Sequence, residues 1–262
     1  MSPSPAELLP VAEEAARVAG ALLRERFESG PETAVHAKST PTDLASEADL
    51  AAEEAIRSLL AEQRPDDALL AEEGGGDQAL EPGRVRWVVD PLDGTINFLY
   101  GVPQWCVSVA CEDAERGLLA GVVFDPLRRE LFAATAGGPV TLNGLPVTPR
   151  AEVPFSEALL VTGFAYDADR RARQAETIAK LLPRVRDVRR MGSAALDLAW
   201  LAAGRYDMYF ERGVQWWDVA AGTLLLRRAG LVVRDLPERD GLPGGIAAGR
   251  AKLVEELWPI GP

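Results

Sequence analysis

The sequence predicts a layered α+β or α/β sandwich. Three observations carry this: two long stretches of helical apolar spacing at the front of the chain, a consecutive run of short apolar strands over 68–135, and alternating strands and helices from 157 onward. With 262 residues, 47% of them hydrophobic, the chain can bury a full core and fits one large domain or two closely packed halves.

The first helix is expected over 5–28, where Leu8, Val11, Ala15, Val18 and Leu22 recur at helical spacing, and the second over 44–63 from Leu50, Ile56 and Leu59. Between them "ESGPETAVHAKSTPTD", which contains Lys38, reads as a mobile loop that has room for a short hairpin. Strands follow at 68–73, 85–90, 105–113, 117–125 and 129–135. After the turn-like "LNGLPVTPR" the pattern is strand 157–162, helix 168–182, strand 185–190, helix 193–203, strand 206–211, helix 217–229, strand 231–235 and a last helix near 250–258. A soft boundary falls near 140–152, dividing the chain into 1–145, the front helices with the first sheet, and 146–262, the alternating half. No internal repeat or low-complexity segment interrupts the pattern.

A formal charge of -12 disfavours non-specific attraction to nucleic acid or an anionic membrane, and "RVRDVRR" at 184–190 is the one local basic run considered against that background. There is no basic segment followed by a long apolar one at the N-terminus, and no run reaches the ~18 apolar residues of a membrane span. A soluble cytoplasmic protein is the expectation. Cys106 and Cys111 are five apart, which puts them on opposite faces of one strand and out of bonding reach. His36 is the only histidine, so multi-histidine metal sites are excluded. Chemistry must rest mainly on carboxylates and hydroxyls.

The segment "WVVDPLDGTINF" concentrates those groups. Asp90 ends an apolar strand, Pro91 is expected to force a turn, and Asp93 returns to the same place before Gly94 closes the backbone and Thr95 starts a helix. Asp-Pro and Asp-Gly are also ordinary turn formers. Glu72 ends "ALLAEE" before Gly74, Gly75 and Gly76, and Asp218 opens an apolar helix after two tryptophans; alone, one reads as a strand-end charge and the other as a helix cap. If the four converged at ~5 Å, each pair would repel by about 3 kcal/mol at an effective dielectric near 20. Protonation or bound cations must accompany such a cluster, and an all-oxygen donor set suits Mg²⁺, Mn²⁺ or Ca²⁺ better than zinc. Two cation sites bridged by Asp90 would suit in-line phosphoryl chemistry. Gly94-Thr95 and the "MGSAA" segment each place glycine and a hydroxyl residue at a helix start, where anions are favoured; Ser193 alone also reads as an N-cap.

Together, "WVVDPLDGTINF", "AEE" before a glycine-rich loop and "WDVAAGTLLLRRAG" resemble the inositol monophosphatase family of the lithium-sensitive, magnesium-dependent sugar phosphatases. "KSTPTDLASEAD", "LNG", "TGFAYD" and "GSAA" occur in the same order, so the resemblance spans nearly the whole chain. It implies an αβαβα sandwich with helices on both sides of two sheets, and a homodimer. It implies two or three Mg²⁺, or Mn²⁺, bound by Glu72, Asp90, Asp93, Asp218 and the main-chain carbonyl of Leu92. It further implies phosphoester hydrolysis by direct attack of water, with Thr95, Asp49 and Glu72 catalytic and Thr95 paired with Asp49. Gly94, Thr95, Gly192, Ser193, Ala194, Glu211 and Asp218 would contact substrate, Glu211 through the substrate's hydroxyls. Two departures, Ala229-Gly230-Leu231 in place of a Gly-Gly pair and Ala165 in place of proline, touch no expected ligand.

The expected reaction is hydrolysis of inositol monophosphate, with fructose 1,6-bisphosphate, histidinol phosphate and 3'-phosphoadenosine 5'-phosphate as alternatives that the shared motif does not separate. The expected partner is thus a small sugar or polyol phosphate, with neither nucleic acid nor membrane. A haloacid-dehalogenase-type mechanism would need its two aspartates separated by one residue, whereas Asp90 and Asp93 are separated by two. A metal-binding regulatory protein without turnover is the reading from another class.

Overall fold

A computed structural model describes residues 3–30, 35–37, 44–75 and 80–261. Lys38, Gly76 and the side chain of His36 lie outside the described residues. Helix α1 spans Pro5–Ser29 and opens with a capping box, in which Glu7 accepts from the Ser4 backbone N–H and Pro5 occupies the first helical position. Strands β1 (Val35–Ala37) and β2 (Leu44–Ser46) pair antiparallel, a short hairpin of the kind the loop had room for. Helix α2 runs Glu47–Gln63, three residues later than the expected start at 44, because Leu44–Ser46 pairs with β1 and Ser46 caps the helix.

The first sheet contains β3 (Ala68–Ala71), β4 (Arg86–Asp93), β5 (Cys106–Asp113), β6 (Gly117–Asp125), β7 (Glu130–Thr135), β8 (Thr141–Leu142) and β9 (Leu145–Pro146), in that order across the sheet. Only β3 and β4 pair in parallel. The short helix α3, Thr95–Leu99, follows β4. The β8–β9 hairpin occupies the segment that reads as a turn in the sequence. Asn143 (φ 51°) and Gly144 (φ 80°) both take positive φ, the conformation an Asn-Gly pair supplies to a two-residue hairpin loop.

The second half contributes β10 (Leu159–Thr162), α4 (Ala168–Leu181), β11 (Asp187–Arg189), α5 (Ala194–Ala202), β12 (Met208–Arg212), α6 (Trp216–Arg228), β13 (Val232–Leu236), β14 (Gly245–Gly249) and α7 (Ala251–Leu257). Its sheet has the order β11-β10-β12-β14-β13, with β10, β11 and β12 parallel and β14 antiparallel to both neighbours. Strand β14, "GIAAG", lacks the branched and aromatic residues that mark a strand and was not anticipated. Small residues are needed there, since a Cβ on Gly245 would collide with the backbone of Glu211 and Arg212.

Alternating side chains stack these elements into five layers. On β5, Val107, Val109 and Cys111 face α1 and α2, while Cys106 and Ala110 face α5 and α6. On β12, Tyr209 packs into that same central core, and Met208 and Phe210 point to the outer core with α7. The order helices, sheet, helices, sheet, helices is the αβαβα sandwich. Both cysteines are buried and free, on opposite faces as their spacing required. The apolar stripe of the front helices differs from the expected one: Val18 (41% exposed) and Leu50 (50% exposed) lie outward. The buried face keeps Leu8, Ala15 and Ile56 and is completed by Ala12, Ala16, Ala19 and Leu23 on α1 and Ala48, Ala52 and Leu60 on α2, the alanines letting the helices approach the sheet closely.

Candidate active site

Strand β4 does not end at Asp90. It continues to Asp93 with one extra residue, Asp90 pairing with Ser108 and Asp93 with Cys106, so Pro91 sits in a bulge rather than a turn. Proline suits that position because a bulged residue owes the ladder no N–H. Asp90 folds back on its own segment, Oδ1 accepting from the Leu92 N–H at 3.0 Å. Gly94 then takes φ 101°, a left-handed conformation that also brings it against Trp105, and Thr95 begins α3.

The Thr95 hydroxyl lies 2.8 Å from Oδ1 of Asp49 and 3.1 Å from the Leu92 carbonyl, and its single proton is directed to an acceptor in either case. Asp49 is fully buried at the third position of α2, where Oδ2 accepts from the Ser46 N–H (2.8 Å) and hydroxyl (2.6 Å). One carboxylate therefore caps a helix with one oxygen and holds Thr95 with the other.

Glu72, immediately after β3, is set by its N–H donating to the Val89 carbonyl at 3.2 Å. The loop behind it is gripped by Glu53 of α2, whose Oε2 accepts from the N–H groups of Glu73 (2.9 Å) and Gly74 (3.1 Å). Asp218 is not the N-cap of α6, which is Gln215, but its third residue, and its Oδ2 closes a capping box by accepting from the Gln215 N–H at 2.6 Å. Carboxylate oxygens of Glu72, Asp90 and Asp218 all fall within 4.8 Å of one another. That separation and the all-oxygen donor set fit a hard divalent cation. Asp93 faces the same cavity but stands outside this group of three. Its Oδ2 is taken by the Ser193 hydroxyl and the Ala195 N–H, each at 2.7 Å, at the start of α5.

Burial, reinforced by the charges of Glu72, Asp93 and Asp218, pushes the Asp90 carboxyl well above the usual range. Asp218 is raised likewise by burial and by Asp93 and Glu72. Burial lifts Asp93 to about 6 against the opposing bonds from Ser193 and Ala195. A cation at this point would reverse the trend by stabilising the ionised forms.

The cavity measures about 610 Å³ and is lined by Leu92, Gly94, Thr95, Gly192, Ala194 and Glu211 in addition to the acidic groups. Ser193, expected on this wall, is 1% exposed, its hydroxyl donating to Asp93 beside the Ala195 N–H that bonds the same carboxylate oxygen. Gly192 adopts φ 90°. Burial raises Glu211 to about 7, opposed by a hydrogen bond from the Tyr209 hydroxyl to Oε2 (3.0 Å) and by the Arg190 charge. The Glu211 carboxylate rests against Gly163, where any Cβ would overlap it. Glu53, Arg190, Tyr209 and Gly163 were not singled out from the sequence. Gly163 sits within the quoted "TGFAYD", but nothing local marks a glycine that leaves room for a side chain 48 residues downstream.

A family model described as the inositol monophosphatase family matches residues 4–259. A protein named inositol-1-monophosphatase from Mycobacterium leprae (strain TN) is 47% identical over 219 residues, covering 81% of this chain and 75% of that one. A protein named Nus factor SuhB from Escherichia coli (strain K12) is 38% identical over 253 residues, covering 95% and 94%. The solved structure of Mycobacterium tuberculosis SuhB superimposes with a TM-score of 0.81 at 38% identity, covering 98% of this chain and 96% of that one.

Proposed function

Because the chain belongs to the inositol monophosphatase family, we propose that it is a magnesium-dependent phosphomonoester hydrolase acting on inositol monophosphate. The observation that carries the reading is the convergence of Glu72, Asp90 and Asp218 within 4.8 Å beside the Thr95–Asp49 pair. Two or three Mg²⁺, with Mn²⁺ as a substitute, would be held by Glu72, Asp90, Asp93, Asp218 and the Leu92 carbonyl, and would neutralise phosphate charge and acidify water.

The remaining work falls to the chain. Thr95, its proton directed to Asp49, offers a lone pair that orients a water for in-line attack and takes up that water's hydrogen bond. Gly94 and the Gly192 and Ala194 wall confine the phosphate, and Glu211 accepts hydrogen bonds from substrate hydroxyls. Glu72 has a second role as a catalytic carboxylate beside the water. Lithium sensitivity, a homodimer and a cytoplasmic location complete the proposal; among the described residues no helix is long and apolar enough to cross a membrane.

The deciding experiment is phosphate release by purified protein with Mg²⁺ from inositol monophosphates, fructose 1,6-bisphosphate, histidinol phosphate and 3'-phosphoadenosine 5'-phosphate. The highest kcat/KM is expected on inositol 1-phosphate, and a preference for any other compound overturns the substrate. The second reading, a regulatory protein that binds metal without turnover, draws on the relative named Nus factor. It predicts Mg²⁺ binding with no phosphate release from any of the four.

A further inference from the structure

Asn97, four residues after Asp93 in the same motif, has no part in the chemistry above. Half-buried on α3, its carboxamide nitrogen donates to the carbonyls of Gln104 (2.7 Å) and Met191 (2.8 Å), with the Gly192 carbonyl at 3.4 Å. A carboxamide nitrogen carries two protons, so the two short bonds use both. One closes the loop that follows α3. The other spans 94 residues of sequence to the segment that enters α5.

Gly192 shows the fit from the opposite side. A Cβ there would stand 2.5 Å from Arg190 Nη1 and 2.9 Å from Asn97 Nδ2, and φ is 90°, a conformation that favours glycine. Asp93 supplies a second attachment to the same segment through Ser193 and Ala195. Gly192 lies between the two attachments and Ala194 within the second, and both line the cavity together with Thr95. Thr95, Asp49, Glu72 and Asp90 all lie on the other side of this junction, in the first half of the chain.

We infer that Asn97 is a positioning residue: it fixes the Gly192–Ala194 wall in the cavity and so sets substrate affinity, leaving the chemical step to Thr95 and the carboxylates of the first half of the chain. The kinetic part of this rests on the hydrolase reading above.

The test compares Asn97→Asp and Asn97→Ala with the wild type. Asn97→Asp keeps the shape, removes both donated bonds and sets an anion against carbonyl oxygens; Asn97→Ala removes the bonds without that repulsion. With inositol 1-phosphate and Mg²⁺, KM should rise ~10-fold or more while kcat stays within ~3-fold, Asp being worse than Ala. Amide hydrogen exchange at 191–195 should quicken by at least ~10-fold in the metal-free proteins, with 86–93 unchanged. A fall in melting temperature with KM unaltered would mean a merely structural role and overturn the inference, as would a loss confined to kcat. Absence of turnover in the wild type would refute the hydrolase reading instead. The exchange measurement then decides alone, and unchanged exchange at 191–195 rejects the positioning role.

Discussion

Thr95 and Asp49 stand 46 positions apart in the chain, and their side chains meet in a 2.8 Å hydrogen bond within a buried setting. The carboxylate that holds Thr95 is itself held by Ser46 through its second oxygen.

On the proposed mechanism this pair acts as a unit. Thr95→Ala should lower kcat by about 10²–10⁴ with little change in Mg²⁺ affinity, and Asp49→Asn should do much the same. The double variant should lose far less than the product of the two, because the second change removes a group already idle. Fully multiplicative losses in steady-state kinetics would separate the two residues and refute the pairing.

The acidic cluster gives the metal-free protein an unusual dependence on pH. The carboxyls of Asp90, Asp93 and Asp218 are raised on folding, so between the ordinary carboxylate range and about 6 for Asp93 the folded chain holds more protons than the unfolded one. Stability contributed by these groups is greatest at the acid end and falls as pH rises through that window. In chelator, calorimetric melting should therefore show a penalty from these groups that grows from pH 5 to pH 7, and Mg²⁺ should raise Tm more at pH 7 than at pH 5. An equal Mg²⁺ effect at both values would show that these carboxyls do not receive the cation.

Glu211 provides a second pH dependence. With its carboxyl raised to about 7, chiefly by burial, it gains its charge as pH rises through neutrality and becomes a better acceptor for hydroxyls. KM for inositol 1-phosphate should fall across that interval, while KM for an aryl phosphate, which lacks those hydroxyls, should show no such step. Glu211→Gln should abolish the step and lose activity mainly on the polyol substrate. Equal losses on both substrates would assign Glu211 to the metal site or to structure.

Gly163→Ala tests the space that Glu211 occupies. The added methyl overlaps the carboxylate, so the glutamate must shift or the backbone must yield, at a cost of about 1–3 kcal/mol. Denaturant unfolding should register that loss, and polyol selectivity should move toward that of Glu211→Gln. A variant with unchanged selectivity would show that the position of Glu211 is not critical.

Much of this architecture was legible because its signals are local. Helical spacing located α1 and, but for its first turn, α2, the strand–helix alternation located α4 and α6, and apolar runs bounded by turn residues located β4 to β7. Contiguous motifs put Asp90, Asp93, Gly94 and Thr95 in one place. What escaped lacks a local signature. Strand β14 is nearly all glycine and alanine, and it is specified by lying between β12 and β13. The family resemblance puts Ser193 on the substrate wall, and no local signal shows that its hydroxyl donates to a carboxylate 100 residues earlier. Glu53 looks like an ordinary helical glutamate paired with Arg57, and only the folded chain shows it gripping the loop behind Glu72.

The two thiols of β5 turn the layering into a statement about cooperativity. Cys106 belongs to the core shared with α5 and α6, Cys111 to the core under α1 and α2, and the sheet that carries both is the partition between them. Neither core can open without disturbing that partition, so the two should be lost in a single global event rather than one after the other. Cys106 and Cys111 should then become accessible to a thiol reagent at the same denaturant concentration and with the same opening free energy, whichever half of the chain is the first to be strained.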